Sequence, residues 1–170
     1  MCIRDRWNDD KRYIDNYWSV IKDYWVHGDL ASRDADGHWY LHGRSDDTIK
    51  VSGKRIGPSE LESVIVKSGK AKEVAAVGIP DENKGSKIIL SIVPAENNDQ
   101  KESFFEDLVI KDLGKSFKPD KVIFVKDLPK TRNMKIMRRV IKSCLANQDP
   151  GDLSTLLNPE SVEEIRSHAI

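Results

Sequence analysis

This chain has no surplus of either charge: 28 Lys and Arg stand against 28 Asp and Glu, for a net charge of zero. A general nucleic-acid binder needs an excess of basic residues facing phosphates, so that class is set aside. Cysteine is scarce, with only Cys2 and Cys144. That is too few for a disulfide framework and makes a reducing, cytoplasmic compartment the default. The four histidines are scattered, none at metal-ligand spacing from another His or a Cys, so no metal site is expected. No apolar run approaches the ~18 residues of a membrane span. The start, Met1–Arg6, is charged and has no apolar stretch of the kind a signal peptide needs. Repeats and low-complexity tracts are also lacking. What is left is a 170-residue chain with a third of its residues charged, suited to one good-sized globular domain, or a domain plus a piece of another.

Aromatics crowd the beginning: Trp7, Tyr13, Tyr17, Trp18, Tyr24 and Trp25. Without a long helical stripe, they read as packing residues rather than a base-stacking platform. Residues 28–43 read as a hairpin, with Asp34-Ala35-Asp36-Gly37 as its tip, because glycine tolerates the positive φ of a tight turn. A boundary is expected near Ser45–Asp47. Beyond it helix and strand signals alternate. Ser59 and Glu62 suggest a capping box ahead of Leu61, Val64 and Ile65, with Gly69 as the stop. Glu73–Pro80, Lys87–Pro94 and Lys121–Val125 read as strands. Residues 100–113 and 136–147 read as helices, the second basic and amphipathic, and a short helix is expected near Ser161–Ser167. This order predicts an α+β fold: a small sheet with packed helices over residues 46–148, preceded by a β-hairpin.

Three stretches carry chemistry. Tyr24-Trp25-Val26-His27-Gly28-Asp29 ends on a carboxylate, an acceptor-only group able to serve two donors. Arg44 follows fifteen residues later. Gly43–Glu62 packs charges, glycines and a helix start into twenty residues with little hydrophobic filler before Ile56. Within it, Gly53 lets another molecule approach the backbone closely, and the Arg55 guanidinium suits phosphate oxygens. In Leu128-Pro129-Lys130-Thr131-Arg132-Asn133-Met134-Lys135, the final lysine offers a compact ammonium on a flexible stem. Taken singly, each has a plain structural reading: a turn aspartate with a surface arginine, a helix-entry loop, a solvated basic face.

Together, in this order, they resemble the AMP-forming acyl-CoA synthetases of the adenylate-forming superfamily, across about residues 7–170. The tail from Pro150 to Ile165 is similar to the end of acetyl-CoA synthetases and narrows the resemblance to acetyl- or propionyl-type enzymes. The resemblance implies the following roles. Asp29 and Arg44 hold the ribose of ATP. Asp46 is the hinge about which a mobile C-terminal lid swings. Gly53 passes the pantetheine arm of coenzyme A, and Arg55 meets nucleotide phosphate in the second conformation. Lys135 is the catalytic lysine of adenylation, offsetting charge as pyrophosphate leaves. Two departures stand out. Asn133-Met134 replaces the family's Ser-Gly, and a positive φ at Met134 would cost roughly 1 kcal/mol or more. Ile110 falls where acetyl-CoA synthetases carry an arginine on coenzyme A phosphate, leaving neighbouring Lys111 as the substitute.

The resulting organisation is residues 1–6 as either a sequence scar or an unusual start, 7–45 as the end of the large N-terminal adenylation domain, 46–148 as the lid, and 149–170 as a tail. The expected function is that of a fragment of an ATP-dependent, acetate- or propionate-like acyl-CoA synthetase, inactive alone. Its partners would be a small carboxylic acid, ATP, coenzyme A and its own N-terminal domain, which would also bind Mg2+; no nucleic acid and no membrane are expected. Two alternatives stay open: the adenylation domain of a peptide synthetase, and a non-catalytic nucleotide- or CoA-binding module.

Overall fold

A computed structural model describes residues 8–96 and 99–170; the possible scar at 1–6 and Trp7 lie outside the described residues. The chain divides into two compact units, with the boundary between Asp46 and Asp47.

In the first unit, helix α1 (Asp10–Tyr17) starts from Asp9, whose carboxylate accepts the Arg12 N–H at 3.1 Å. Strands β1 (Asp29–Arg33) and β2 (Trp39–Arg44) form an antiparallel hairpin with a bulge at Leu30/Ala31. The Asp34 carboxylate ties its tip, accepting from the His38 backbone N–H and the Tyr40 hydroxyl, both at 2.9 Å. Of the early aromatics, Tyr13 and Trp25 pack on Tyr17, with Tyr17 lying flat against Trp25, ring centres 5.3 Å apart, while Trp18 and Tyr24 are exposed. None of residues 8–46 is buried.

The second unit is built on a three-stranded sheet in the order β5 (Ala71–Asp81), β6 (Gly85–Pro94), β7 (Lys121–Phe124). β5 and β6 are antiparallel, and β7 joins β6 in parallel. β5 runs one residue past Pro80 into the turn, and β6 begins at Gly85, two residues ahead of the expected Lys87. Pro80 is accommodated because β5 is an edge strand, where a missing N–H breaks no ladder bond. Period-two alternation gives the sheet two apolar faces. Val74, Ala76, Ile88, Leu90, Ile92 and Val122 face one core, closed by α2 (Pro58–Lys67) and α3 (Glu102–Leu113). Ala75, Val77, Ile79, Ile89, Val93 and Ile123 face the other, closed by α4 (Arg138–Leu145) and α5 (Glu160–Arg166). The molecule is the small α+β fold expected, with helices on both faces.

Two local readings are corrected. Residues 49–56 are not a plain helix-entry loop. They form a second hairpin, β3 (Ile49–Val51) with β4 (Lys54–Ile56). Its tip residues Ser52 and Gly53 have φ of 48° and 80°, the pattern of a two-residue turn matched to strand twist. The hairpin seats Ile49, Val51 and Ile56 in the α2–α3 core, and a Cβ on Gly78 would lie 2.9 Å from Ile49. The second correction concerns the start of α2. The helix begins at Pro58 behind Gly57, and Glu60, not Glu62, reaches back to the Gly57 N–H at 3.1 Å. Proline at the first helical position was the signal that fixes this register.

The tail belongs to the same core. Val162 and Ile165 of α5 are buried in the second cluster, the Ile170 N–H donates to the Leu145 carbonyl at 3.0 Å, and Lys121 Nζ donates to the His168 carbonyl at 2.8 Å.

Candidate functional site

The β1–β2 register sets Asp29 directly opposite Arg44. Their charged groups approach to 3.8 Å, and Asp29 also pairs with the His27 ring. Arg44 donates through Nη1 to the His27 carbonyl and through Nε to Asp46, each at 2.9 Å. Gly28 makes this packing feasible: its φ is +86°, and a Cβ there would sit 3.0 Å from the guanidinium. The Arg44 hydrogen bond holds the Asp46 carboxyl below the usual carboxylate range, against a smaller opposing effect of burial. Asp29, Arg44 and Asp46 are thus one charge cluster on the hairpin's open end.

In the second unit the candidate residues divide between the two faces of the sheet. Gly53 sits at the tip of the β3–β4 hairpin with nothing within 4 Å of a notional Cβ, so its backbone is open to approach. Arg55 is exposed beside it. Behind the tip, the Ser52 N–H donates to the Lys84 carbonyl at 2.8 Å, and Lys54 Nζ donates to Ser116 Oγ at 3.0 Å. Lys111 is exposed in the last turn of α3.

Lys135 projects from a tight turn that leads to α4 on the opposite face. Thr131 donates its N–H to the Lys135 carbonyl at 2.9 Å, and Met134 donates to the Thr131 carbonyl at 2.8 Å. Met134 takes φ +60°, the left-handed conformation that suits glycine and that a residue with a Cβ disfavours. Thr131, Arg132, Asn133 and Lys135, with Ser154 and Thr155 from the tail, line a groove of about 570 Å³.

Lys130, the first lysine of the same motif, is buried at 6 % exposure. Its ammonium meets Glu73 and Asp127, each at 2.6 Å. Burial pulls the Lys130 pKa down, but the two carboxylates outweigh it and the net direction is up. Asn158 completes the knot: it accepts the Lys130 N–H at 3.0 Å and donates to Asp127 and to the Leu128 carbonyl at 2.7 and 2.8 Å. The motif's first lysine therefore anchors the loop and its last lysine is presented to solvent. Five positions of spacing do not distinguish these fates; the contacts of Asp127, Glu73 and Asn158 with one of them do.

The AMP-binding enzyme C-terminal domain matches residues 60–135. Over nearly its whole length the chain is 43 % identical to an acetyl-coenzyme A synthetase of Methanothrix thermoacetophila, covering 96 % of this chain and 26 % of that protein. The chain contains an AMP-binding enzyme C-terminal domain and is similar to adenylate-forming acyl-CoA synthetases. It corresponds to their C-terminal part. A propionate–CoA ligase of Escherichia coli is 37 % identical over 97 % of this chain and 28 % of its own length. Among solved structures, the acetoacetyl-CoA synthetase of Streptomyces lividans superimposes with a TM-score of 0.80 over 94 % of this chain and 24 % of its own, a likeness of fold at 21 % identity. The chain thus spans about a quarter of the length of the acyl-CoA synthetases it matches.

Proposed function

We propose that this chain is the mobile lid, with the adjoining edge of the large domain, of an AMP-forming synthetase for short acids of the acetate or propionate type. In the first half-reaction the acid's carboxylate oxygen attacks the α-phosphorus of ATP and pyrophosphate leaves. The Lys135 ammonium offsets the negative charge that develops there. In the second, the coenzyme A thiol gives up its proton to solvent as its sulfur attacks the acyl carbon, and AMP leaves, carrying the bond's electron pair on its phosphate oxygen. Gly53 admits the pantetheine arm, Arg55 and Lys111 meet phosphate, and Asp29 and Arg44 hold the ribose throughout. Mg2+ would neutralise phosphate charge from the large domain. The acid-and-histidine group of Asp34, Asp36 and His38 does not fit that duty, because it lies at a hairpin tip with Asp34 already accepting from His38 and Tyr40.

The observation that carries this reading is the placement of Lys135 and Gly53 on elements that pack against opposite faces of one sheet. A rigid body so arranged presents one group at a time, and a swing about Asp46 exchanges them. The unburied aromatics of residues 8–46 support it as well: they suit a surface covered by the rest of a large domain. A cytoplasmic setting accords with the buried free thiol of Cys144, and no helix among the described residues is long and apolar enough to cross a membrane.

The test joins the chain to the upstream domain of the complete enzyme and measures the half-reactions separately. Lys135→Ala is expected to lower pyrophosphate exchange about 10²–10³-fold while leaving thioester formation from supplied acyl-adenylate nearly intact. Gly53→Leu is expected to do the reverse. Equal loss of both half-reactions in either variant refutes the alternating arrangement. The chain by itself is expected to release no AMP from ATP, acid and coenzyme A.

A further inference from the structure

Glu62 and Arg138 lie 76 residues apart and come from α2 and α4, helices on opposite faces of the sheet. Arg138 donates Nε to Glu62 Oε1 at 2.8 Å and Nη2 to Oε2 at 2.6 Å, a two-pronged pair that fixes orientation as well as distance. Glu62 Oε1 also accepts the Ala76 N–H at 3.0 Å, an amide of edge strand β5. The pair is largely withdrawn from water, with side-chain exposures of 26 % for Arg138 and 13 % for Glu62. One carboxylate therefore joins α2, the open edge of β5 and the first residue of α4.

Arg138 follows Lys135 by three residues. The Lys135 turn is held at its near end by buried Lys130 and by the Thr131–Leu156 bridge. At its far end it is held by Ile136 and Met137 on the apolar core and by the Arg138 fork. Met134 sits between these anchors in a conformation a side-chain-bearing residue disfavours, so the turn does not hold its own shape by local preference. We propose that Arg138, clamped by Glu62, is a positioning residue that sets where Lys135 enters during adenylation. This rests on the role given to Lys135 above. A lysine side chain is long and flexible, so the placement of its backbone decides how well its ammonium meets the developing charge, and misplacement by about 1 Å can cost ~10²-fold in rate. The Glu62 hydrogen bond raises the Arg138 pKa against the opposing effect of burial, and the charge of Asp47 adds to it, so Arg138 stays charged at any working pH.

The experiment has two arms. In the chain itself, amide exchange is compared between wild type and Arg138→Ala. The amides of Thr131, Met134 and Met137 are expected to exchange at least tenfold faster, with those of Ile89 and Leu90 in β6 unchanged. Unaltered exchange in the turn overturns the proposal. In the complete enzyme, Arg138→Ala is expected to lower the adenylation kcat about 10–100-fold with KM within about threefold. Thioester formation from supplied acyl-adenylate should stay within about twofold. Arg138→Lys, which keeps charge but loses the fork, should fall between. Glu62→Gln, which keeps an acceptor for Ala76, should match Arg138→Ala, and the double variant should be no worse than either alone. Equal loss in both half-reactions, or additive effects, reduces the pair to a structural brace and overturns the proposal. Lys135→Ala serves as the reference. If it leaves adenylation intact, the functional reading fails, and the exchange arm still decides whether Arg138 holds the turn.

Discussion

Residues 8–46 and residues 47–170 are both hydrogen-bonded and both rich in apolar side chains, yet only the second region has an interior. Every buried apolar residue among those described lies between Ile49 and Ile165. In the first region Trp39 is 68 % exposed and Leu41 77 %, although β1 and β2 pair in regular register. The difference teaches that backbone pairing alone does not make a domain. An isolated two-stranded hairpin is at best marginal in water, and stability comes from apolar surface removed from solvent. The two regions also use charge differently. Asp29, Arg44 and Asp46 form an accessible cluster, with Asp46 67 % exposed, whereas Lys130 is enclosed by its acidic partners. Accessible charge suits a ligand; enclosed charge specifies a loop.

The largest expected break in this comparison comes from truncating the core. Leu61→Ala removes a fully buried side chain and should cost about 2–5 kcal/mol, whereas Leu41→Ala should stay within about 0.5 kcal/mol. Urea midpoints followed by helical circular dichroism separate the two, and similar shifts would dissolve the contrast between regions.

A middle-sized effect concerns charge and pH. Burial raises the Asp127 pKa, but the Lys130 ammonium, the Leu128 N–H and Asn158 together hold it below the usual value. A depressed carboxylate gives stability that is present above its unfolded pKa, about 3.9, and fades as pH falls through the lower folded value. Asp127→Asn should therefore be less stable than wild type near neutrality, by about 1 kcal/mol because the half-exposed Asp127 side chain is screened by solvent, and the gap should close below about pH 4. Lys130 acts with the opposite sign: its raised pKa gives stability that is lost only as pH rises through the folded value. Asp46→Asn, also a depressed carboxylate but exposed, should change stability by less than about 0.5 kcal/mol. An equal acid dependence in both variants would contradict the distinction between enclosed and accessible charge.

The smallest expected effect sharpens the picture of the Lys135 turn. Met134→Gly should raise stability by about 0.5–1 kcal/mol, because glycine takes φ +60° without a Cβ penalty. A loss of stability, measured in the same urea titration, would show that the methionine side chain contributes more by packing than its backbone costs.

Much of this was legible along the chain. The apolar runs around Val74, Ile89 and Ile123 announce strands, and Phe104, Leu108 and Leu113 mark a helix that runs Glu102–Leu113. Gly53 stands out within a glycine-rich, charged loop that has little packing purpose, whereas Lys135 is singled out only by the family resemblance, since a basic turn taken alone reads as a solvated face. Met134 was legible too, as a residue out of place where φ turns positive. Less legible was the β3–β4 hairpin, whose strands are three residues each and too short for periodicity to declare. Glu62 reads as a cap because its spacing from Ser59 imitates one, and nothing along the chain sets Lys130 apart from its basic neighbours.

The sequence by itself determined the alternation of helix and strand, the turn residues and the chemical types available at Asp29, Arg44, Gly53, Arg55 and Lys135, since these rest on local preferences and on side-chain chemistry. Tertiary structure alone decided which lysine is enclosed, that Glu62 reaches Arg138, that the tail closes a core, and that Gly53 and Lys135 belong to opposite faces. Those outcomes depend on contacts between residues tens of positions apart, and a contact at that range is fixed by packing rather than by any pattern the chain displays along its length.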